Sequence, residues 1–290
     1  GQAQAAAATL DEAGPLLDAP GVSPIGRLEA QMRLAAVLAR LDRNDEALEM
    51  QEQVLAGARE HGIVPIQIEA LRFMAQVRST QFDDPEGALP YFQQAYDLHR
   101  VLAKTTRTPH PPLSYDLAYT LFLLGRYPQA DAVFAEAAAG ASAFPELAGM
   151  SDRIASHRAE IARLNGDAAA AEPQLAAVAA RQRSASDLVG EAVTLQRLAN
   201  ARVDLGRAQE ALAPATQALE AAEHGNLTAE IRESLEALAR VHDALGQPAV
   251  AAGYAARARA MVRSQDRQRT ARQLARMQAH SGTFAEMTRR

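Results

Sequence analysis

The chain has 290 residues, of which 48% are hydrophobic but only 4% aromatic, with no Trp, no Cys and a formal charge of −5. Without cysteine there is neither a disulfide framework nor thiolate chemistry, and the mild negative charge disfavours a protein that coats nucleic acid. No apolar run approaches the ~18 residues that a membrane span requires, so a cytoplasmic protein with no membrane segment is expected, its apolar surface supplied by Ala and Leu as in closely packed helices.

Residues 1–19 read as a lone helix, a leading half-unit with Ala6, Leu10 and Ala13 on one stripe. The loop Ala19-Pro20-Gly21-Val22-Ser23-Pro24 resets the chain before a helix carrying Leu34, Ala35, Leu38 and Leu41. A turn at Asp42-Arg43-Asn44 leads to a second helix with Ala47, Gln51 and Val54, which Gly62 and Pro65 end after about His61. The same helical hairpin is best formed over Pro111–Ala139. There Leu117, Leu121 and Leu124 precede Gly125, and Ala130, Val133, Phe134 and Ala137 follow Tyr127-Pro128.

Taking the residue that closes each first helix as an anchor gives Asp42, Asp83, Gly125, Gly166, Gly206 and Gly246, separated by 41, 42, 41, 40 and 40 residues. Six units at nearly constant period predict a solenoid. Five residues after every anchor stands alanine: Ala47, Ala88, Ala130, Ala171, Ala211 and Ala251. A side chain larger than methyl there would push the two helices of a hairpin apart. Seven before the anchors come Ala35, Gln76, Ala118, Ala159, Ala199 and Ala239. Immediately before them, Leu41, Phe82, Leu124, Leu205 and Leu245 are expected to plug the hairpin ends, with Asn165 as the exception. Glycine at four anchors suits the left-handed conformation that closes a helix, which Asp adopts less readily. Asp84-Pro85-Glu86 reads as an N-cap, a proline at the first helical position and an acid in the first turn.

The series Leu117-Ala118, Leu124-Gly125, Ala130, Phe134 and Ala137 resembles the tetratricopeptide repeat, and the likeness covers nearly the whole chain. The period of about 40 exceeds the family's usual 34, so both helices are longer. Such units resemble those of bacterial signalling proteins, including sensory segments joined to diguanylate cyclases or kinases. The resemblance implies an all-α, right-handed α-solenoid of antiparallel helical hairpins. The expected organisation is the half-unit at 1–19, six hairpins over 20–256, and an Arg-rich capping or linker helix with a frayed tail at 257–290.

In such arrays the first helix of each hairpin lines the concave face. Positions ten, six and three before the anchors then give Met32, Ala36 and Ala39; Phe73, Val77 and Thr80; Tyr115, Tyr119 and Phe122; Ser156, Glu160 and Arg163; Gln196, Asn200 and Val203; Glu236, Arg240 and Asp243. The first nine are mainly apolar and aromatic, the last nine polar and charged. A protein or peptide partner is expected, with Phe73, Tyr115, Tyr119 and Phe122 as desolvated anchors. Gln196 and Asn200 would pair with peptide backbone, and Arg163 and Arg240 with a carboxylate. The competing reading makes these aromatics helix packing and these arginines partners of neighbouring acids.

No enzyme is expected. The histidines at 61, 99, 110, 157, 224, 242 and 280 form no HExxH pair, and His157 with Glu160 alone makes a poor metal site. No glycine-rich phosphate loop or dinucleotide fingerprint occurs, and no cofactor is implied. From Arg257 to Arg290 nine Arg face Asp266 and Glu286, a local charge of +7 that leaves −12 elsewhere. This arm reads as a cap on the last repeat, a linker to an effector domain, or a nucleic-acid contact. The third is disfavoured because no aromatics interleave the basic residues. Both ends suggest a fragment of a longer protein acting as a regulatory or sensory module. The alternatives are a passive assembly scaffold and a transcription regulator acting through the arm.

Overall fold

A computed structural model of the chain describes residues 21, 23–263 and 267. The leading helix expected at 1–19 and most of the arm beyond 263 lie outside the described residues. The described residues form twelve α-helices and one short 3-10 turn, with no strand among them. The chain divides into two compact units, residues 1–148 and 149–290. In the first lie α1 (Pro24–Arg40), α2 (Asn44–Glu60), α3 (Val64–Gln81), α4 (Pro85–Thr106), α5 (Pro111–Leu123) and α6 (Tyr127–Ala141). In the second lie α7 (Ala148–Leu164, whose first residue is the last of unit one), α8 (Ala168–Ser184), α9 (Leu188–Asp204), α10 (Ala208–His224), α11 (Thr228–Ala244) and α12 (248–263). The fold is an all-α solenoid architecture of antiparallel hairpins, because within each unit consecutive helices joined by three or four residues must reverse direction.

All six anchors adopt the left-handed conformation, with φ of 63° at Asp42, 53° at Asp83, 69° at Gly125, 93° at Gly166, 72° at Gly206 and 70° at Gly246. Except at Asp83, these turns close by Schellman bonding, in which the amide two residues past the helix end returns to a carbonyl of the last turn. Arg43 N–H donates to Leu38 O at 2.9 Å, Arg126 to Leu121 at 2.9 Å, and Asp167 to Ala162 at 2.9 Å. Asp84 caps α4 by accepting the Gly87 amide at 2.8 Å, with Pro85 first in the helix and Glu86 beside it. Unit two is regular beyond expectation. Its helices begin at 148, 168, 188, 208, 228 and 248, and left-handed residues fall at 166, 186, 206, 226 and 246, so the structural step is one helix every 20 residues.

Ala47, Ala88, Ala130, Ala171 and Ala211 are fully buried and Ala251 nearly so, which places the helix crossings where the sequence predicts them. In unit two Leu175, Leu195 and Leu198 pack around Ala159, Ala171, Ala201 and Ala218, and Leu238 with Val241 packs on Ala199, Ala211 and Ala215. In unit one Ala35, Leu38 and Ala47 form a seam against which Phe73 lies. The expected plug positions are half-buried at Leu41, Leu124, Leu205 and Leu245, but Phe82 is 41% exposed, a correction. Phe82 follows the one first helix of 18 residues, and its turn closes by a longer step, from Asp84 N–H to Arg78 O at 3.1 Å.

Candidate functional site

In unit one the stripe on α5 becomes a row of rings. Tyr115 and Tyr119, one turn apart, stack with centroids 6.2 Å apart, Tyr119 stacks on Phe122 at 6.5 Å, and Phe122 meets Tyr127 of α6 at 5.7 Å. Helical spacings of four and three put the three α5 rings on one face. Buried Phe134 of α6 supports the row, its ring 5.8 Å from Tyr115. Tyr119 is 37% exposed, and Tyr115 and Phe122 are half-buried, so the face combines packing area with solvent access. Phe73 serves the first hairpin's core instead of extending this row. Val77 is buried, and Thr80 returns its hydroxyl to Gln76 O at 2.8 Å.

Polar side chains tie α3 to α5 beside the rings. Arg72 Nε and Gln76 Nε2 donate to Asp116 Oδ2 at 2.8 and 2.9 Å. Burial raises the Asp116 carboxyl above its ordinary value although Arg72 pulls the other way. Gln76, which breaks the alanine pattern seven before the anchors, is therefore explained by its hydrogen bond.

In unit two the polar stripe is largely bonded to itself. Arg163 grips Glu160 through Nε and Nη2, at 2.8 and 2.7 Å, and reaches Asp204 of α9 with Nη1 at 2.5 Å. Arg240 of α11 pairs with the other oxygen of Asp204. The Arg163 side chain is only 9% exposed, and its hydrogen bonds to Glu160, then Asp204, hold the guanidinium above its usual range. Gln196 is buried, donating to Glu230 O at 3.0 Å and Ser234 Oγ at 2.8 Å. Arg163, Arg240 and Gln196 thus link neighbouring first helices, where the sequence suggested donors open to a ligand. Asn200 is half-buried, and its Oδ1 has no hydrogen-bond partner among the described residues. Ser156, the first residue of this stripe on α7, bonds Thr194 at 2.9 Å, while Arg197 donates to Ser156 at 2.9 Å and to His157 Nδ1 at 3.0 Å. Burial, reinforced by Arg197, keeps His157 well below the ordinary histidine value.

Asp204, Arg197, Asp116 and Arg72 escaped the sequence reading. A usable signal existed: Arg163 and Asp204, like Ser156 and Arg197, are 41 residues apart, one repeat period, with complementary polarity. No group of three or more His, Cys, Asp or Glu suited to a metal occurs among the described residues, and no described helix is long and apolar enough to cross a membrane.

Repeated hairpins that present one helix face make an architecture suited to protein–protein interaction. The chain is an array of tetratricopeptide-type repeats. The sequence model of the tetratricopeptide repeat family matches residues 26–100, and the same hairpin recurs over the rest of the described chain. No curated protein matches the chain in sequence. Among solved structures, it resembles the nearly identical TPR-like repeats of a kinesin light chain from Podosopora anserina (TM-score 0.54, 21% identity, 68% of this chain and 96% of that one). It also resembles BtubC from P. vanneervenii (TM-score 0.54, 18% identity, 82% and 92%). A third likeness is to a Rap protein complexed with Competence and Sporulation Factor (TM-score 0.55, 13% identity, 82% and 66%). At these identities the likeness concerns the fold.

Proposed function

We propose that the chain is a protein- or peptide-binding module, the regulatory or sensory part of a signalling protein, and that its ligand lies along the first-helix face of α5. The ring row Tyr115, Tyr119 and Phe122 carries this reading. Aromatic rings supply large contact area at low cost in side-chain entropy, and a preformed row costs less still on binding. An extended or helical segment with alternate apolar side chains fits such a row. The Rap protein, similar in fold, was solved with Competence and Sporulation Factor bound, which supports peptide recognition on this architecture. In unit two, Arg163 and Gln196 are already engaged and the Asn200 Oδ1 is buried, so we assign the first two to inter-helix linkage and rest the ligand face on α5.

The test is selection of peptides from a random library on the full chain, followed by affinity measurement with Tyr119→Ala. Loss of a ring at the centre of the contact is expected to cost about 2 kcal/mol, some thirtyfold in Kd. Unchanged affinity in Tyr119→Ala, with helicity intact by circular dichroism, would refute the α5 face.

A further inference from the structure

Helix α4 breaks the repeat. It runs for 22 residues where the second helices α2, α8 and α10 run for 17. Its surplus turn ends in Arg107, held left-handed at φ 54°, and overhangs the loop 107–110, the start of α5 and the end of α6. Gly140 permits the close approach, since a Cβ there would lie 3.1 Å from Pro111 and 3.2 Å from Pro109. The result is a cavity of about 500 Å³, whose polar lining includes Arg100, Lys104, Arg107, His110, Ser114 and Glu136.

The charges of this cavity do not balance. Arg100, Lys104 and Arg107 follow one another at spacings of four and three, which crowds like charges on one side of the helix. The single carboxylate of the lining, Glu136, already accepts hydrogen bonds from Tyr96 and from Ser114, the latter at 3.4 Å. Arg100 lies over the Tyr96 ring, while Lys104 and Arg107 have no acidic partner among the described residues. Several other arginines near helix ends are matched, Arg163 by Glu160 and Asp204, Arg183 by Glu191 and Arg202 by Glu172. Lys104 is moreover the chain's only lysine.

Two histidines nearby are held in place by hydrogen bonds. His110 Nδ1 accepts the Leu113 amide at 3.2 Å, which puts the ring proton on Nε2, the donor to Glu69 at 2.9 Å. His99 donates Nε2–H to Thr108 O at 3.0 Å and meets His110 edge to face at 5.5 Å.

We propose that this cavity binds a phosphomonoester. Three cations against one occupied carboxylate leave a surplus of two positive charges, which a phosphomonoester of about −1.5 to −2 at neutral pH neutralises. A single carboxylate would leave one cation unmatched. The volume lies within the ~300–1,000 Å³ range of small-molecule sites, so the group carrying the phosphate has room against the histidine rings and Pro109. None of the α5 rings assigned to peptide binding lines this cavity, so either site can stand without the other.

The experiment is calorimetric titration of the full chain with adenosine 5′-monophosphate, a phosphoserine peptide, inorganic phosphate and acetate, repeated on Lys104→Ala, Arg107→Ala and the exposed control Arg126→Ala. Saturable binding of a phosphomonoester at one site is expected, with Kd raised about tenfold or more by either pocket variant and unchanged by the control. Preference for the nucleotide assigns a small phosphorylated molecule, and preference for the peptide assigns a phosphorylated side chain. Absence of phosphomonoester binding, acetate binding as tight as phosphate, or a Lys104→Ala, Arg107→Ala double variant that binds like the parent overturns the proposal.

Discussion

Gln182 illustrates how costly a misplaced polar group is in this core. It is 1% exposed in α8, and neither atom of its amide has a hydrogen-bond partner among the described residues. An unsatisfied buried amide costs about 1–3 kcal/mol. Methionine has nearly the same length and no such demand, so Gln182→Met should raise the free energy of unfolding by about 1–2 kcal/mol in urea titration. His157 makes a second prediction at this scale. Its folded value is held well below 6.5, and burial lowers His99 in the same direction. A histidine depressed on folding contributes stability above its unfolded value and loses it as pH falls, because the unfolded chain takes the proton first. Stability should therefore fall between about pH 7.5 and pH 5, and His157→Gln should flatten that profile. Asp116 and Glu233, both raised by burial, act with the opposite sign, but in the more acidic range of carboxylates.

At the scale of the element, the turns set the period. Among the described residues, ten of the turns that join helices place a residue in the left-handed region, and four of these residues are neither Gly nor Asn: Asp42, Asp83, Arg107 and Ser186. Ser186 stands at φ 56° where glycine would sit without strain. Ser186→Gly is expected to stabilise by about 0.5–1 kcal/mol, and Asn226→Gly by less, since Asn tolerates this conformation better. Gly206→Ala should destabilise by about 1 kcal/mol through backbone strain alone, because a Cβ there meets nothing within 4 Å. Chemical denaturation of the three variants checks the order.

For the whole molecule, the hairpins were legible because two signals coincide: a turn residue every 40 or so positions, and an alanine five later that the crossing demands. The half-period was not legible, since Ser186 and Arg107 carry no glycine signature although their backbone conformation matches the glycine turns. The α5 ring row was readable from helical spacing. By contrast, the fate of Arg163 and Gln196 depended on which residues one period away face them, Asp204 and Ser234, which a stripe on a single helix does not encode. The phosphomonoester cavity arises from one helix of unusual length, so no local motif announced it.

The central proposal is that a peptide lies on the α5 face, and the most direct measurement is photo-cross-linking. A benzophenone-bearing amino acid is placed at Tyr119, and in a separate preparation at Val101, an apolar α4 residue with 66% exposure. Each chain is irradiated with a library-selected peptide. The account predicts adducts from position 119 and none from position 101. Adducts from 101 alone, or equal yields from both, would contradict it.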